Sequence, residues 1–230
     1  MCAGNDSLIS IVLTFPYWKR CDTVMDRRSF IGKLTGATLS VAGAIGGGLA
    51  MVAGSESSAC LRPPGALLEE DFLATCIRCG RCADACPNRC IVGFTEDAGA
   101  ELDVKPGLGQ RNTPVIFARK KACILCNGAP GEDLLCTAAC PTGALVKTKK
   151  DADVVQATVK MGKAEVDTTL CYSFNGASCG ACVRACPFEG TALRAGLWEK
   201  PLVDPEACIG CGLCERACVH YPQAIRVRPA

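Results

Sequence analysis

Histidine is nearly missing from this chain: His220 stands alone among 230 residues. That removes histidine-ligated zinc chemistry and histidine acid–base catalysis as organising themes. Aromatic side chains are also scarce, with two tryptophans, three tyrosines and seven phenylalanines. Without cysteine, the hydrophobic fraction of 49% falls to about 40%, a thin supply for a core. Charge of one sign is missing too. The 25 basic and 23 acidic residues leave a formal charge of +2, so the chain carries no basic field for nucleic acid or a polybasic membrane surface. No glycine fingerprint for a nucleotide, no flavin or nicotinamide domain and no nucleophile–histidine pair can be found. Gly46-Gly47-Gly48 falls inside an uncharged N-terminal stretch and is no phosphate loop.

What the chain does have is cysteine, 20 residues of it. Sixteen fall into four groups. The first is Cys76, Cys79, Cys82 and Cys86, and the second is Cys123, Cys126, Cys136 and Cys140. The third is Cys171, Cys179, Cys182 and Cys186, and the fourth is Cys208, Cys211, Cys214 and Cys218. Groups one and four have the C-x2-C-x2-C-x3-C spacing of a bacterial ferredoxin run, and groups two and three are the same run with one gap lengthened. Three thiolates on a tight loop reach three irons of one cube. The fourth cysteine, turned by a following proline, starts a new direction of chain and serves the neighbouring cube. Four groups then make two pairs and four [4Fe–4S] clusters, with no ligand missing.

Two other frameworks fit less well. A disulfide scaffold does not call for four C-x3-C steps, three of them running directly into Pro87, Pro141 and Pro187. Zinc ribbons use C-x2-C pairs held apart, and three cysteines in two successive x2 steps crowd a tetrahedral ion.

The repeat extends past the cysteines. Thr142 to Val146 and Gly190 to Leu193 each read as a turn followed by a short strand. Ala164 to Asp167 and Pro201 to Asp204 read as short strands that lead into cluster loops. The expected fold is α+β: two tandem or interleaved bacterial-ferredoxin-like modules, with short strands and short helices around four [4Fe–4S] clusters. By analogy with four-cluster subunits of molybdenum oxidoreductases, group one is expected to pair with group four and group two with group three; pairing of consecutive groups is the open alternative. Cys90, just beyond group one, reads as a small buried apolar residue, not a ligand. The run Arg119-Lys120-Lys121 reads as a solvated loop, with docking or cluster tuning as the sharper alternative.

The front of the chain reads as an address. Arg27-Arg28 precede Ser29-Phe30-Ile31, and no charge occurs from Leu34 to Ser55. This is the layout of a twin-arginine export signal over residues 25–59. A retained anchor is the competing reading, since the stretch is long enough to cross a bilayer. A route that carries folded cargo suits a protein whose clusters are built inside the cell, so a periplasmic location is expected. Residues 1–24 serve no evident purpose and are expected to lie upstream of a true start at Met25, which would leave Cys2 and Cys21 out of the native protein. Cys60 sits in a weak lipoprotein-like box and is expected to be a spare thiol. The domain proper is expected to cover 60–230.

Several of these residues together resemble the NapG/MauM family of periplasmic ferredoxin-type proteins. They are the twin-arginine start, LRPPGALLEEDFLATCIRCGRC, KACILC with CTAACPTGAL, VKMGKAEVD and the final CIGCGLCERAC. The resemblance covers roughly residues 25–230. It implies four [4Fe–4S] clusters and an electron-transfer role; with no catalytic constellation in the sequence, the protein is expected to be an electron-transfer component with no catalytic site of its own. It also implies a polytopic membrane ferredoxin-type quinol oxidase of the NapH type as donor and a periplasmic redox acceptor, in nitrate reduction or methylamine oxidation. The alternative is the iron–sulfur subunit of another periplasmic molybdenum or hydrogenase-type oxidoreductase. Group four departs from the pattern: Val219-His220-Tyr221 separate Cys218 from Pro222, which puts the local turn in question.

Overall fold

In the computed structural model, which describes residues 60–230, glycine and proline set where each short element starts and stops. The export-type segment, the upstream stretch, Cys2 and Cys21 lie outside the described residues. The first helix, α1 (Glu69–Thr75), opens on Glu69, Glu70 and Asp71, acidic side chains that complement the positive end of its dipole. It buries Phe72 completely and ends at Cys76, which is extended. Four very short helices follow the cysteine loops: α2 (Arg81–Asp84), α4 (Leu135–Ala138), α6 (Ala181–Arg184) and α7 (Leu213–Ala217). Between them lie α3 (Glu96–Gly99) and α5 (Ala152–Thr158). No helix among the described residues is long and apolar enough to cross a membrane.

The strands form three antiparallel pairs. β1 (Ile91–Gly93) pairs with β2 (Pro114–Ile116) in the register Ile91 to Ile116. β4 (Leu193–Ala195) pairs with β5 (Pro201–Val203), Leu193 opposite Val203. β3 (Gly162–Val166) pairs with β6 (Ile225–Pro229), so that the chain entering group three meets the chain leaving group four. The N-terminal half repeats this plan in reduced form. β1 and β2 are its inner hairpin, and the counterpart of the β3–β6 ladder is a single bridge between Ala66 and Leu145. The strand expected over Thr142 to Val146 is therefore only this bridge, with Leu67 N–H donating to Ala144 O at 3.2 Å and Val146 N–H to Gly65 O at 2.7 Å. The expected strands over 164–167 and 201–204 are present, as β3 and β5.

Each closure encloses two consecutive cysteine groups, so the modules stand in tandem. The leading segment of the first is held by polar contacts. Arg62, only 6% exposed, holds both oxygens of Glu69 through Nε at 2.9 Å and Nη2 at 2.6 Å. Its Nη1 donates to Thr113 Oγ1 and Pro114 O, and its guanidinium lies 4.7 Å from the centre of the Phe72 ring. Gln110 donates to the same carboxylate at 2.8 Å. One buried arginine thus ties the leading Leu61-Arg62-Pro63-Pro64 segment to α1 and to the start of β2.

Candidate iron–sulfur sites

The cysteine loops have a common cause for their shape. In groups one, three and four a glycine, Gly80, Gly180 or Gly212, precedes the third cysteine in the left-handed conformation and starts the short helix behind it. Only a residue without Cβ takes that conformation without strain. The third cysteine then occupies the second position of its helix, while the fourth stands just beyond the helix end. Pro87, Pro141 and Pro187 disfavour helical backbone at the residue before them, so the fourth sulfur leaves the helix face and points elsewhere. Cys218, without an adjacent proline, is extended all the same at φ −62°, ψ 122°. The departure in group four leaves the turn intact.

The sixteen thiols gather in four sets. Cys76, Cys79 and Cys82 line one pocket with Cys140, here called site A. Cys123, Cys126 and Cys136 lie close enough to Cys86 for charge on one to be felt by the others, forming site B. Cys208, Cys211 and Cys214 line a pocket with Cys186, site C. Cys171, Cys179 and Cys182 line another with Cys218, site D. Helix α2 therefore sends Cys82 to site A and is followed by Cys86 at site B, while α4 makes the opposite exchange with Cys136 and Cys140. Helices α6 and α7 repeat the arrangement between C and D.

This corrects the expected pairing. Group one pairs with two and group three with four, not one with four and two with three. The physical reason is closure. The Ala66–Leu145 bridge and the β3–β6 ladder each bring together the start of one group and the end of the next.

The sites form a series. A and B share two helices, and so do C and D. B meets C directly, where the Cys123 N–H donates to Cys211 O at 3.0 Å. Beside it, Met161 N–H donates to Ile209 O at 3.0 Å. Gly212 packs so closely on this junction that a Cβ there would stand 2.5 Å from Ala118 Cβ. The inner sites are the more enclosed, with Cys86, Cys123, Cys126, Cys136, Cys211 and Cys214 all buried. At the outer sites Cys79 is exposed, and Cys76, Cys140, Cys171, Cys179 and Cys218 are half-buried.

The donor set fits a cubane better than a single ion. Four sulfurs bound to one tetrahedral zinc would each lie about 2.3 Å from it. Among the described residues no three such side chains converge on a single ion, whereas three of the four sets surround apolar pockets with their sulfurs held apart. Backbone amides supply hydrogen bonds to sulfur. Leu135 N–H donates to Cys126 Sγ at 3.4 Å and Ala224 N–H to Cys218 Sγ at 3.3 Å. Burial pushes the Cys82 and Cys182 thiols up to about 11 and Cys211 up to about 12. Burial raises Cys140 as well, but hydrogen bonds from Leu145, Thr142 and Gly143 outweigh it and leave that thiol lowered. Cys86 is drawn down to about 5, chiefly by the side chain of Cys90, against the effect of burial.

Other residues singled out in the sequence fall as follows. Cys60 stands outside all four sets; burial raises its thiol to about 11, and Gln110 Nε2 lies 3.8 Å from its sulfur. Within the basic run, Arg119 lies over Tyr221 and Lys120 over Phe117, and the carbonyls of both accept from Arg216. Only Lys121 is exposed, so most of the run is a joint between modules and not a solvated loop. Arg78, which the sequence did not single out, lines site A and donates to Gly109 O at 2.8 Å. Sequence reasoning missed the Arg62–Glu69–Gln110 network, although an arginine flanked by Leu61 and two prolines was a signal for it. It also placed Cys90 as filler, although that thiol touches a member of site B.

Repeated cysteine loops on short helices and strands, with thiols gathered in sets of four, define the class of 4Fe–4S ferredoxin-type proteins. Sequence comparison agrees with this class. Family models described as 4Fe-4S dicluster domains match residues 163–219 and 122–190, and a 4Fe-4S binding domain matches 73–93. The 122–190 match joins groups two and three, which the fold places in different modules. A linear match follows repeated spacing, and the placement of the thiols decides the pairing. The methylamine utilization ferredoxin-type protein MauM of Methylobacillus flagellatus is 38% identical over 74% of this chain and 68% of its own length. MauM of Methylorubrum extorquens is 36% identical over 79% and 80% of the two chains. The ferredoxin-type protein NapG of Escherichia coli K12 is 36% identical over 74% and 70%. The chain belongs to the NapG/MauM family of ferredoxin-type iron–sulfur proteins.

Proposed function

We propose that the sixteen cysteines hold four [4Fe–4S] clusters and that the protein relays electrons through them in the order of sites A, B, C and D. The donor in this reading is a polytopic membrane quinol oxidase of the NapH type, and the acceptor is a periplasmic redox protein in a chain such as nitrate reduction. A [4Fe–4S] cluster supplies one-electron exchange at a potential set by charge, hydrogen bonds to its sulfurs and exposure. The observation that carries the reading is the Cys123–Cys211 backbone contact, because it joins two separate pairs of sites into one uninterrupted series.

The protein's own residues provide the rest. Helices α2, α4, α6 and α7 fix neighbouring sites to each other, since each element carries sulfur to two of them. Buried thiols raised by desolvation must release protons as metal binds, which couples loading to folding. The exposed Cys79 and half-buried Cys179 bring the two ends of the series to the surface, where electrons enter and leave. Arg27-Arg28 support export of the folded, loaded protein to the periplasm.

Anaerobically purified protein should contain about sixteen irons and as many sulfides. Zinc or cystine in their place overturns the reading. Membranes containing the quinol-oxidising partner should reduce the protein when quinol is added. Reduction that instead requires a co-purifying molybdenum or hydrogenase-type subunit assigns the protein to that other class of complex. Arg27→Lys together with Arg28→Lys should leave the protein in the cytoplasm.

A further inference from the structure

Among the described residues, site B differs from the other three by a fifth thiol. Cys90 is 3% exposed, and its sulfur lies 3.5 Å from that of Cys86. It also lies against the side chain of Cys123, so it touches two members of one set. The position is held from both sides. Asn88 Nδ2 donates to Ala122 O at 2.7 Å and pins the loop after Cys86 to the residue preceding Cys123. On the other side Cys90 runs straight into β1. Cys90 follows the fourth cysteine of its group by four residues. The same position holds Ala144 in group two, Gly190 in group three and Pro222 in group four, none of which has a side-chain donor.

A separation of 3.5 Å is far beyond the roughly 2.05 Å of a disulfide and suits an S–H···S contact. A cysteine that binds iron does so as thiolate, so in such a pair the proton belongs to the sulfur that does not bind. We propose that Cys90 is a non-ligating thiol that donates a hydrogen bond to the Cys86 sulfur and so sets the potential of site B apart from its neighbours. Reduction adds one negative charge to a cluster and its sulfurs. A donor aimed at a ligand sulfur stabilises the more negative state and raises the potential. This rests on the reading that site B holds a cluster, and the test separates the two.

Three variants of the full chain, Cys90→Val, Cys90→Ala and Cys90→Ser, are purified anaerobically. Iron is counted, and the midpoints are followed by EPR during redox titration. Valine fills the space without a donor, and serine keeps a donor. The expected result is wild-type iron in all three, one midpoint of four moved to lower potential in the valine and alanine variants, and that midpoint wholly or partly restored in the serine variant. Wild-type midpoints in the valine variant overturn the proposal, since packing alone would then be the role of Cys90. Loss of about a quarter of the iron in the valine or alanine variant also overturns it, because Cys90 would then be a ligand of one of four cubes. Absence of iron from the wild-type protein would instead defeat the functional reading.

Discussion

In the C-terminal module a ladder from Gly162–Pro229 to Val166–Ile225 closes the space around sites C and D. In the N-terminal module the equivalent closure has shrunk to the Ala66–Leu145 bridge. Both modules nevertheless exchange their fourth cysteines in the same way. Strand length is therefore not what places the sulfurs; the chain's exit from helix at the fourth cysteine does that locally, helped in three of the four groups by a glycine ahead of the third. The strands only have to return the chain, and one backbone bridge is enough for that. The first module adds Arg62, which holds Glu69, Thr113 and Pro114 and so anchors the segment that carries the bridge.

The sharpest way to break this comparison is to remove the two exchanged cysteines of one module. Cys86→Ala with Cys140→Ala should empty sites A and B and lower the iron from about sixteen to about eight, with the signals of C and D retained. Cys86→Ala with Cys218→Ala should instead damage both modules, at B and D. Confinement of that second loss to one pair of sites would restore the interleaved arrangement.

A smaller effect is expected at the Arg62 anchor. Arg62→Met removes the cation from a Glu69 that is 33% exposed and keeps its Gln110 donor, and should cost about 2–4 kcal/mol, read as a lowered midpoint for release of iron from A and B while C and D hold. Equal loss from both modules would show that Arg62 does not anchor the first. Smaller again is the pair Gly212→Ala and Gly80→Ala. Both glycines are left-handed, so alanine costs about 1–2 kcal/mol at either. Around Gly80 no atom would lie within 4 Å of the new Cβ, whereas at Gly212 it would run into Ala118. Gly212→Ala should therefore cost about 1–3 kcal/mol more by overpacking, and it alone should disturb the potentials of B and C. At the bottom of the scale, Glu165→Ala removes the exposed pair with Arg228 on the long ladder and should change thermal stability by less than about 1 kcal/mol.

Much of this plan was legible in the sequence because cluster loops are short and local. The spacing from Cys208 to Cys218 states its own geometry, and the segments read as strands ahead of groups three and four are strands. Pairing was not legible. The stretches between groups are all long enough for a crossover, and only the closing contacts, made between residues some eighty positions apart such as Ala66 and Leu145, choose among them. Cys90 was legible as buried but not as a neighbour of Cys86, because the bend at Arg89, with φ of 48°, is invisible in composition. The basic run at 119–121 read as a solvated surface feature because its partners, Tyr221 and Arg216, arrive from the far end of the chain.

The exchange of fourth cysteines has a consequence for biogenesis. With Cys82 and Cys86 at either end of one short helix, filling site A orders the segment that must present a sulfur to site B, and Cys136 and Cys140 return the favour. A half-charged module therefore resembles a half-closed clasp, and a maturation apparatus delivering one cube prepares the berth for the next.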